Sequence, residues 1–310
     1  MGPFHEGELE VQARAGVAAA ARRVGGIVRG EVPEQWAGFL EAQRMGVLAT
    51  VGGDGAAWPS LLAGEAPPVR LVAPAALEIT TPPHPSDPFW EMAGTDSRVS
   101  FAAPAGLLVI DPETRRRVRI NGVIERGEDR TLTLHVREAY GNCPKYIQTR
   151  HLESGAPERA ARLAARRSTG LTEAQRAWIR HADTLFIATA HPRAGADASH
   201  RGGLPGFILL TGENEIAIPD YSGNNMFNTL GNIVANPAAG LLLVDFERGR
   251  TLQLTGHASV TWDAPWLAKA PGAARGIEFR VRAAVEIADG NPLRWRFGEY
   301  SPFNPPVPVG

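Results

Sequence analysis

The stretch Asn236-Pro-Ala-Ala-Gly-Leu-Leu-Leu-Val-Asp245 repeats an earlier one, Ala103-Pro-Ala-Gly-Leu-Leu-Val-Ile-Asp111, with the two aspartates 134 positions apart. At the same offset Val118-Arg-Ile-Asn-Gly122 faces Leu252-Gln-Leu-Thr-Gly256. Upstream, Met45-Gly-Val-Leu-Ala-Thr50 is answered by Leu185-Phe-Ile-Ala-Thr189, whose Ala-Thr endings lie 139 positions apart. A constant order at a near-constant offset reads as a tandem duplication of roughly 110 to 130 residues, each copy running helix, strand, strand, helix, strand, strand.

Outward from these pairs, short apolar runs broken by glycine turns favour antiparallel β-structure over βαβ units. Leu241 to Val244 is continuously apolar, whereas Leu252-Gln253-Leu254-Thr255 alternates, and this mixture fits a small closed barrel. The expected fold is mainly β with helices (α+β), in two tandem antiparallel barrels. Helices are expected over Glu8 to Arg29, closed by Val32-Pro33, over Gln35 to Arg44 and over Glu173 to Ala182. Leu152 to Arg167 is charged, alanine-rich and reads as a linker helix. The chain then divides into an N-terminal helical arm (1–35), a first copy (36–150), a helical linker (151–175) and a second copy (176–310). Thr80 to Pro88 is too proline-rich to be regular, and Pro302 to Val309 reads as an extended tail.

Composition sets the function classes. The 310 residues are 44% hydrophobic, and 32 basic residues balance 33 acidic ones. No overall field draws such a chain to nucleic acid or to an anionic membrane, which leaves a small molecule as the expected partner. Lys145 and Lys269 are the only lysines, so arginine as a class carries little functional information. One cysteine, Cys143, rules out an internal disulfide and fits a reducing compartment; without a long apolar run, the expected location is the cytoplasm.

The second copy holds three polar clusters. Ser199-His200-Arg201 stands between glycines, and Asp220-Tyr-Ser-Gly-Asn-Asn-Met-Phe-Asn-Thr229 leads into a short helical pattern. Gln253 and Thr255 share a strand after the Asp245 turn. A Ser/Asn-rich helix entry offers free backbone N–H groups to a phosphate, and an arginine adds a charge-assisted bond. The same entry also reads as a plain Asx-turn cap. In the first copy the matching regions are Trp58-Pro59-Ser60 and Asp87 to Thr95, without the asparagines or the Ser-His-Arg triplet. The two copies are therefore not expected to bind the same ligand equally.

Tyr140-Gly-Asn-Cys-Pro-Lys-Tyr-Ile-Gln148 joins the cysteine to a lysine at a helix start. It reads as a cap beside the ligand of the other copy, or, with a base partner, as a nucleophile site. The eight histidines show no metal-ligand spacing, so no metal is expected. P-loop, Gly-x-Gly-x-x-Gly and Gly-x-Ser-x-Gly motifs are absent.

In order and spacing these stretches resemble the pyridoxamine 5'-phosphate oxidase-like flavoproteins, whose fold is an FMN-binding split barrel, across both copies. The stretches that carry the resemblance are Ile187-Ala-Thr189, Arg201, Ile218-Pro-Asp-Tyr-Ser222, Ala235-Asn-Pro237, Leu241 to Phe246 and Leu252 to Gly256. Phe4-His-Glu-Gly-Glu8, Gly141 to Gln148, Ala198 to Gly203 and Met226 to Asn232 occur together as in a long bacterial branch of that group. The resemblance implies a Greek-key split barrel in each copy, and an intramolecular pseudo-dimer, monomeric or paired again as a homodimer. It places Arg201 along an FMN, with Ser199 and His200 beside it. The phosphate falls to Tyr221, Ser222, Asn224, Asn225, Asn228 and Thr229, with Asp220, Met226 and Gln253 in the same set. Cys143, Lys145 and Tyr146 of the first copy complete the one intact site. Family members that oxidise pyridoxamine phosphate carry an arginine and a lysine where Asn228 and Thr229 fall, so that activity is not expected here.

The implied function is an FMN-dependent oxidoreductase acting on an unknown small molecule. The alternative is a non-catalytic or differently loaded split barrel that binds heme through His200, a deazaflavin or a stored flavin. A third class is an interaction module with a dead site.

Overall fold

The computed structural model describes residues 2–94, 101–127, 131–153 and 165–307. The arm is two helices, α1 (Glu6–Arg14) and α2 (Ala18–Gly25), in place of the single helix expected over Glu8 to Arg29. The break is at Gly16, whose φ of +70° ends a right-handed helix at little cost for glycine alone.

The first copy opens with α3 (Ala37–Ala42) and continues as β1 (Met45–Val51), β2 (Ala57–Ala63), β3 (Val69–Ala73), β4 (Ala76–Ile79), α4 (Phe89–Ala93), β5 (Phe101–Asp111), β6 (Arg116–Arg126) and β7 (Leu132–Gly141). Two short strands follow, β8 (Arg150–Leu152) and β9 (Arg166–Ser168), so the described ends of the expected linker helix are extended; residues 154–164 lie outside the described set. β8 pairs with a strand near the C-terminus and β9 with the longest strand of the second sheet, and tertiary pairing overrides their helical composition. Thr95 and residues 308–310 also lie outside the description.

The second copy repeats the order: α5 (Glu173–His181), β10 (Thr184–His191), β11 (Gly195–Gly202), β12 (Leu209–Leu210), β13 (Glu215–Asp220), α6 (Asn228–Ala235), β14 (Ala238–Asp245), β15 (Arg250–Thr261) and β16 (Arg275–Ile287), with β17 (Trp295–Phe297) after it. Each copy thus has one hairpin and one long strand more than the sequence order implied. Thr172 caps α5 by accepting the N–H of Gln175, a capping box.

Both sheets are antiparallel, ordered β2-β1-β5-β6-β7-β4-β3 and β11-β10-β14-β15-β16-β13-β12. Strand for strand these are one topology used twice. The irregularities repeat as well: the β6/β7 register slips at Asn121/Gly122 and the β15/β16 register at Thr255/Gly256, the positions the repeat pairs. Two tandem antiparallel barrels, mainly β with helices, are the observed fold.

Each copy has its own core. Leu40, Leu107, Ile120 and Leu134 belong to the first, and Leu185, Ile218, Leu254 and Phe279 to the second. A third cluster joins them, with Val47, Leu61 and Leu108 of one copy packed with Phe186, Leu242 and Val244 of the other. The backbones meet at two glycines. A methyl group at Gly106 would stand 2.6 Å from Asp197 Cα, and one at Gly240 would stand 2.4 Å from the Ala57 carbonyl oxygen. The interface therefore needs a missing side chain once on each side. Its two ends carry equivalent strands.

Candidate functional site

At one end of the interface the second copy's β11, the turn after β13 and the start of α6 face the first copy's β6 and the segment after β7. The cleft between them encloses about 800 Å³ of empty space, counting the part open to solvent. Ser199, His200, Arg201, Asp220, Tyr221, Asn224, Asn225, Asn228 and Thr229 line it from the second copy, and Cys143, Lys145 and Tyr146 from the first. Ser199, His200 and Arg201 lie on β11 (Gly195–Gly202), the edge strand of its sheet, and all three line the cleft.

Three expected residues do not line the cleft. Ser222 is exposed, and its carbonyl accepts the Tyr146 hydroxyl at 2.9 Å. Met226 is buried; its N–H donates to Asn224 Oδ1 and its carbonyl accepts Gln12 Nε2, so it shapes the turn. Gln253 is the larger correction. Its amide donates to the Pro59 carbonyl and to Asp87 Oδ2, both in the first copy and both at 2.9 Å. The strand that carries it crosses the interface, so its side chain serves the opposite copy.

The same crossing brings in two residues the sequence reading missed, Arg117 and Arg119 on β6. They are two apart on a strand and so share a face. Arg119 is 5% exposed and pairs with Asp197 Oδ1 at 2.9 Å. Its guanidinium also donates to Tyr140 Oη, Asn228 Oδ1 and Ser199 Oγ. Ser199 Oγ lies 2.7 Å from Thr229 Oγ1, so one arginine organises hydroxyls on two elements. The repeat could have found it: at the 134-residue offset Arg119 is the counterpart of Gln253.

Arg117 has no carboxylate partner among the described residues. Its Nε and Nη2 donate to the Cys143 carbonyl, and burial, then the nearby Arg119 and Arg201, push its pKa down to about 9. It is still charged at neutral pH. Arg201 pairs with Asp220 at 2.8 Å, and Arg275 holds the other oxygen of that carboxylate at 2.9 Å while stacking on Phe227. Lys145 sits over the ring of Phe303 in the C-terminal tail. Four cations (Arg117, Arg119, Lys145, Arg201) and one carboxylate (Asp220) therefore line the cleft. Beneath it, Asp197 neutralises Arg119, and the surplus positive charge rests on Arg117 and Lys145.

His200 is buried, with its ring edge-on to Phe186 and Nδ1 without a partner. Burial, then Arg117, Arg150 and Arg201, hold its pKa well below the usual histidine range, so it is a neutral imidazole. Tyr146 and Tyr221 meet at the mouth with ring centroids 5.4 Å apart.

Four non-glycine residues among those described have positive φ, and three of them, Tyr146 (67°), Asn225 (64°) and Phe227 (62°), line the cleft. Each such conformation costs roughly 1–3 kcal/mol and is held by its surroundings. Phe227 is the N-cap of α6 and supplies no side-chain acceptor, so the first N–H groups of the helix stay open toward the cleft.

At the equivalent place in the first copy the chemistry is reversed. Asp87 accepts Ser60 Oγ at 2.7 Å, the Phe89 N–H at 2.9 Å and Gln253 Nε2. It is 4% exposed, and burial raises its pKa to about 6. A carboxylate satisfied from within stands where the second copy offers donors.

His5, Glu6 and His191 form another cluster, their ligand-type atoms within 4.8 Å of one another. His191 Nδ1 accepts the N–H groups of Arg193 and Ala194, so the ring proton is on Nε2, which donates to Glu6. The contact ties Glu6 of α1 to His191 at the end of β10. No helix among the described residues is long and apolar enough to cross a membrane.

Against known families, residues 171–292 match the model described as pyridoxamine 5'-phosphate oxidase. Solved structures similar to single stretches of the chain include Group A Streptococcus HupZ at 14% identity, covering 39% of this chain and 97% of that one with a TM-score of 0.33. A putative pyridoxamine 5'-phosphate oxidase from Lactobacillus delbrueckii is 14% identical, covering 38% and 94% with a TM-score of 0.32. A FAD-binding protein from Mesorhizobium loti is 10% identical, covering 41% and 99% with a TM-score of 0.29. None of the curated proteins matches the chain. Residues 171–292 are thus similar to the pyridoxamine 5'-phosphate oxidase family, in line with the resemblance that the motifs carry.

Proposed function

We propose that the cleft binds FMN and that the chain is an FMN-dependent oxidoreductase acting on a small molecule. One observation carries this reading: the uncapped N-terminus of α6, the Ser199 and Thr229 hydroxyls and the uncompensated Arg117 converge on one cleft. That donor set suits a phosphate monoester, because it offers open N–H groups, hydroxyls and a cation. Buried polar atoms without partners, His200 Nδ1, Arg119 Nε and Arg201 Nε, mark the same region. The FAD-binding protein and the F420 reductase among the similar structures bear related names.

Bound FMN would supply hydride or electron transfer. The phosphate would be held by Asn228, Thr229, Ser199 and Arg117. Arg201, kept in place by Asp220, would face the ring system and stabilise negative charge there. Tyr146 and Tyr221 would exclude water at the mouth. His200, neutral throughout the physiological range, would exchange hydrogen bonds without adding charge. Arg117 and Lys145 of the first copy would stand in for the arginine and lysine that the resemblance places at positions 228 and 229.

Purified protein should be yellow, with a band at about 450 nm typical of oxidised flavins, and added FMN should raise its melting temperature. A Soret band in place of the flavin spectrum would favour heme on His200. A colourless protein unaffected by FMN would sink both.

A further inference from the structure

The N-terminal arm reaches the cleft from behind. Helix α1 packs on α6 so closely that a methyl group at Gly7 would stand 2.2 Å from the Gly231 carbonyl oxygen. This contact lays Glu8, 3% exposed, against Asn228. Asn228 Oδ1 accepts from Arg119, and arginine can only donate, so the amide orientation is settled: Nδ2 points to Glu8 Oε1. The other Glu8 oxygen accepts the His5 N–H at 2.9 Å and lies 3.5 Å from His5 Nε2.

The remaining charged groups facing Glu8 are Glu138 on β7 and Asp197 on β11, both acidic. No cation touches its carboxyl directly: Arg119 reaches it only through Asn228, and His5 is itself neutral, its pKa lowered to about 4 by burial and by His191. Burial, with these two carboxylates, raises the Glu8 pKa to about 8. A carboxyl at that value sits one amide away from the residue that starts α6. An anion placed at that helix start adds a further negative charge to the set, and so favours the protonated form.

We propose that the arm is part of the ligand site: Glu8 is a positioning residue that orients Asn228 toward a phosphate-bearing ligand and takes up a proton when that anion binds. The inference rests on the anion-binding reading of the cleft given above. It couples a segment at the start of the chain to a site made by the other two parts.

The test uses full-length protein and its Glu8→Gln and Glu8→Ala variants, with affinities compared between pH 7 and 8, where Arg117, lowered to about 9, stays mostly charged. In ligand-free wild type the Asn228 side-chain amide signal should titrate with a midpoint near pH 8, and in Glu8→Gln it should not. Calorimetry with FMN and with inorganic phosphate, in two buffers of different ionisation enthalpy, should show proton uptake in wild type and none in Glu8→Gln. Wild-type affinity should fall about twofold from pH 7 to 8, as proton linkage to a group at about 8 requires, while Glu8→Gln stays level. Glu8→Ala should bind more weakly at every pH, and recovery in Glu8→Gln separates orientation from mere folding. An Asn228 signal that does not titrate, or a Glu8→Gln variant with the wild-type uptake, would overturn the assignment of Glu8. Failure of FMN to bind while Asn228 titrates and phosphate still drives uptake would overturn the flavin reading alone.

Discussion

Arg119 and Gln253 hold the same place in the two copies and reach across the interface in opposite directions. Arg119 donates to Ser199 of the second copy, and Gln253 donates to Asp87 and the Pro59 carbonyl of the first. A cation serves one end and a neutral amide the other, and this is one of the differences between the donor-lined cleft and the end where Asp87 accepts the amide. Arg119→Gln should therefore weaken FMN binding about 10- to 100-fold, the roughly 1.5–3 kcal/mol of a lost charged hydrogen bond. It also leaves Asp197 buried and unpaired, costing about 3–5 kcal/mol of stability. Arg119→Gln combined with Asp197→Asn should regain stability in urea unfolding without regaining affinity. Recovery of both would refute the role given to Arg119.

Arg117 is the contrasting case, because no carboxylate depends on it. Arg117→Met should leave the melting temperature unchanged or raise it, since a half-buried cation crowded by Arg119 and Arg201 is removed and no charge is orphaned. FMN affinity, followed by quenching of flavin fluorescence, should still drop roughly tenfold through loss of a phosphate contact. Unchanged affinity would move the phosphate away from this wall.

The interface depends on two absent side chains. Gly106→Ala drives a methyl group into the β11 backbone and should cost about 1–3 kcal/mol of stability or more. Gly240→Ala, against Ala57, should cost a similar amount. Gly53→Ala, where nothing lies within 4 Å, should be close to neutral. Equal effects at all three positions in denaturant titrations would mean that backbone freedom, not close approach, is being measured.

The buried groups of the arm give stability a defined pH profile. Glu8 is raised to about 8, so the fold holds a proton the unfolded chain has lost, and stability falls as pH rises from the unfolded value of 4.5 to about 8. His5 is lowered from 6.5 to about 4, so its contribution is complete above 6.5 and is lost as pH falls toward 4. From these two groups, melting temperature should be nearly level between 4.5 and 6.5, where their slopes oppose, and decline from 6.5 to 8. Glu8→Gln should remove that decline. A variant that still declines over this interval would point to another group.

Much of this was legible in the residues. The paired stretches around Asp111 and Asp245 announced two copies of one antiparallel fold, because strand patterning and turn glycines are local properties that survive duplication. The second copy's Ser199-His200-Arg201 and the Asp220–Thr229 segment could be singled out, because polar side chains crowded before a short helix stand out from the apolar strands around them. The expected helix over Glu8 to Arg29 failed at Gly16, where one glycine outweighs a run of good helix formers.

What the chain alone determined was the repeat, its antiparallel β character and which copy kept its polar residues. Only tertiary packing decided which copy each strand serves. Gln253 lies beside its own copy's motifs in sequence but reaches the opposite copy, Arg117 and Arg119 enter the cleft from the first copy, and Glu8 meets Asn228 from behind it. Side-chain periodicity fixes which face of a strand a residue occupies, while the partner across that face depends on how two sheets dock, and the docking rests on the close approach at Gly106 and Gly240.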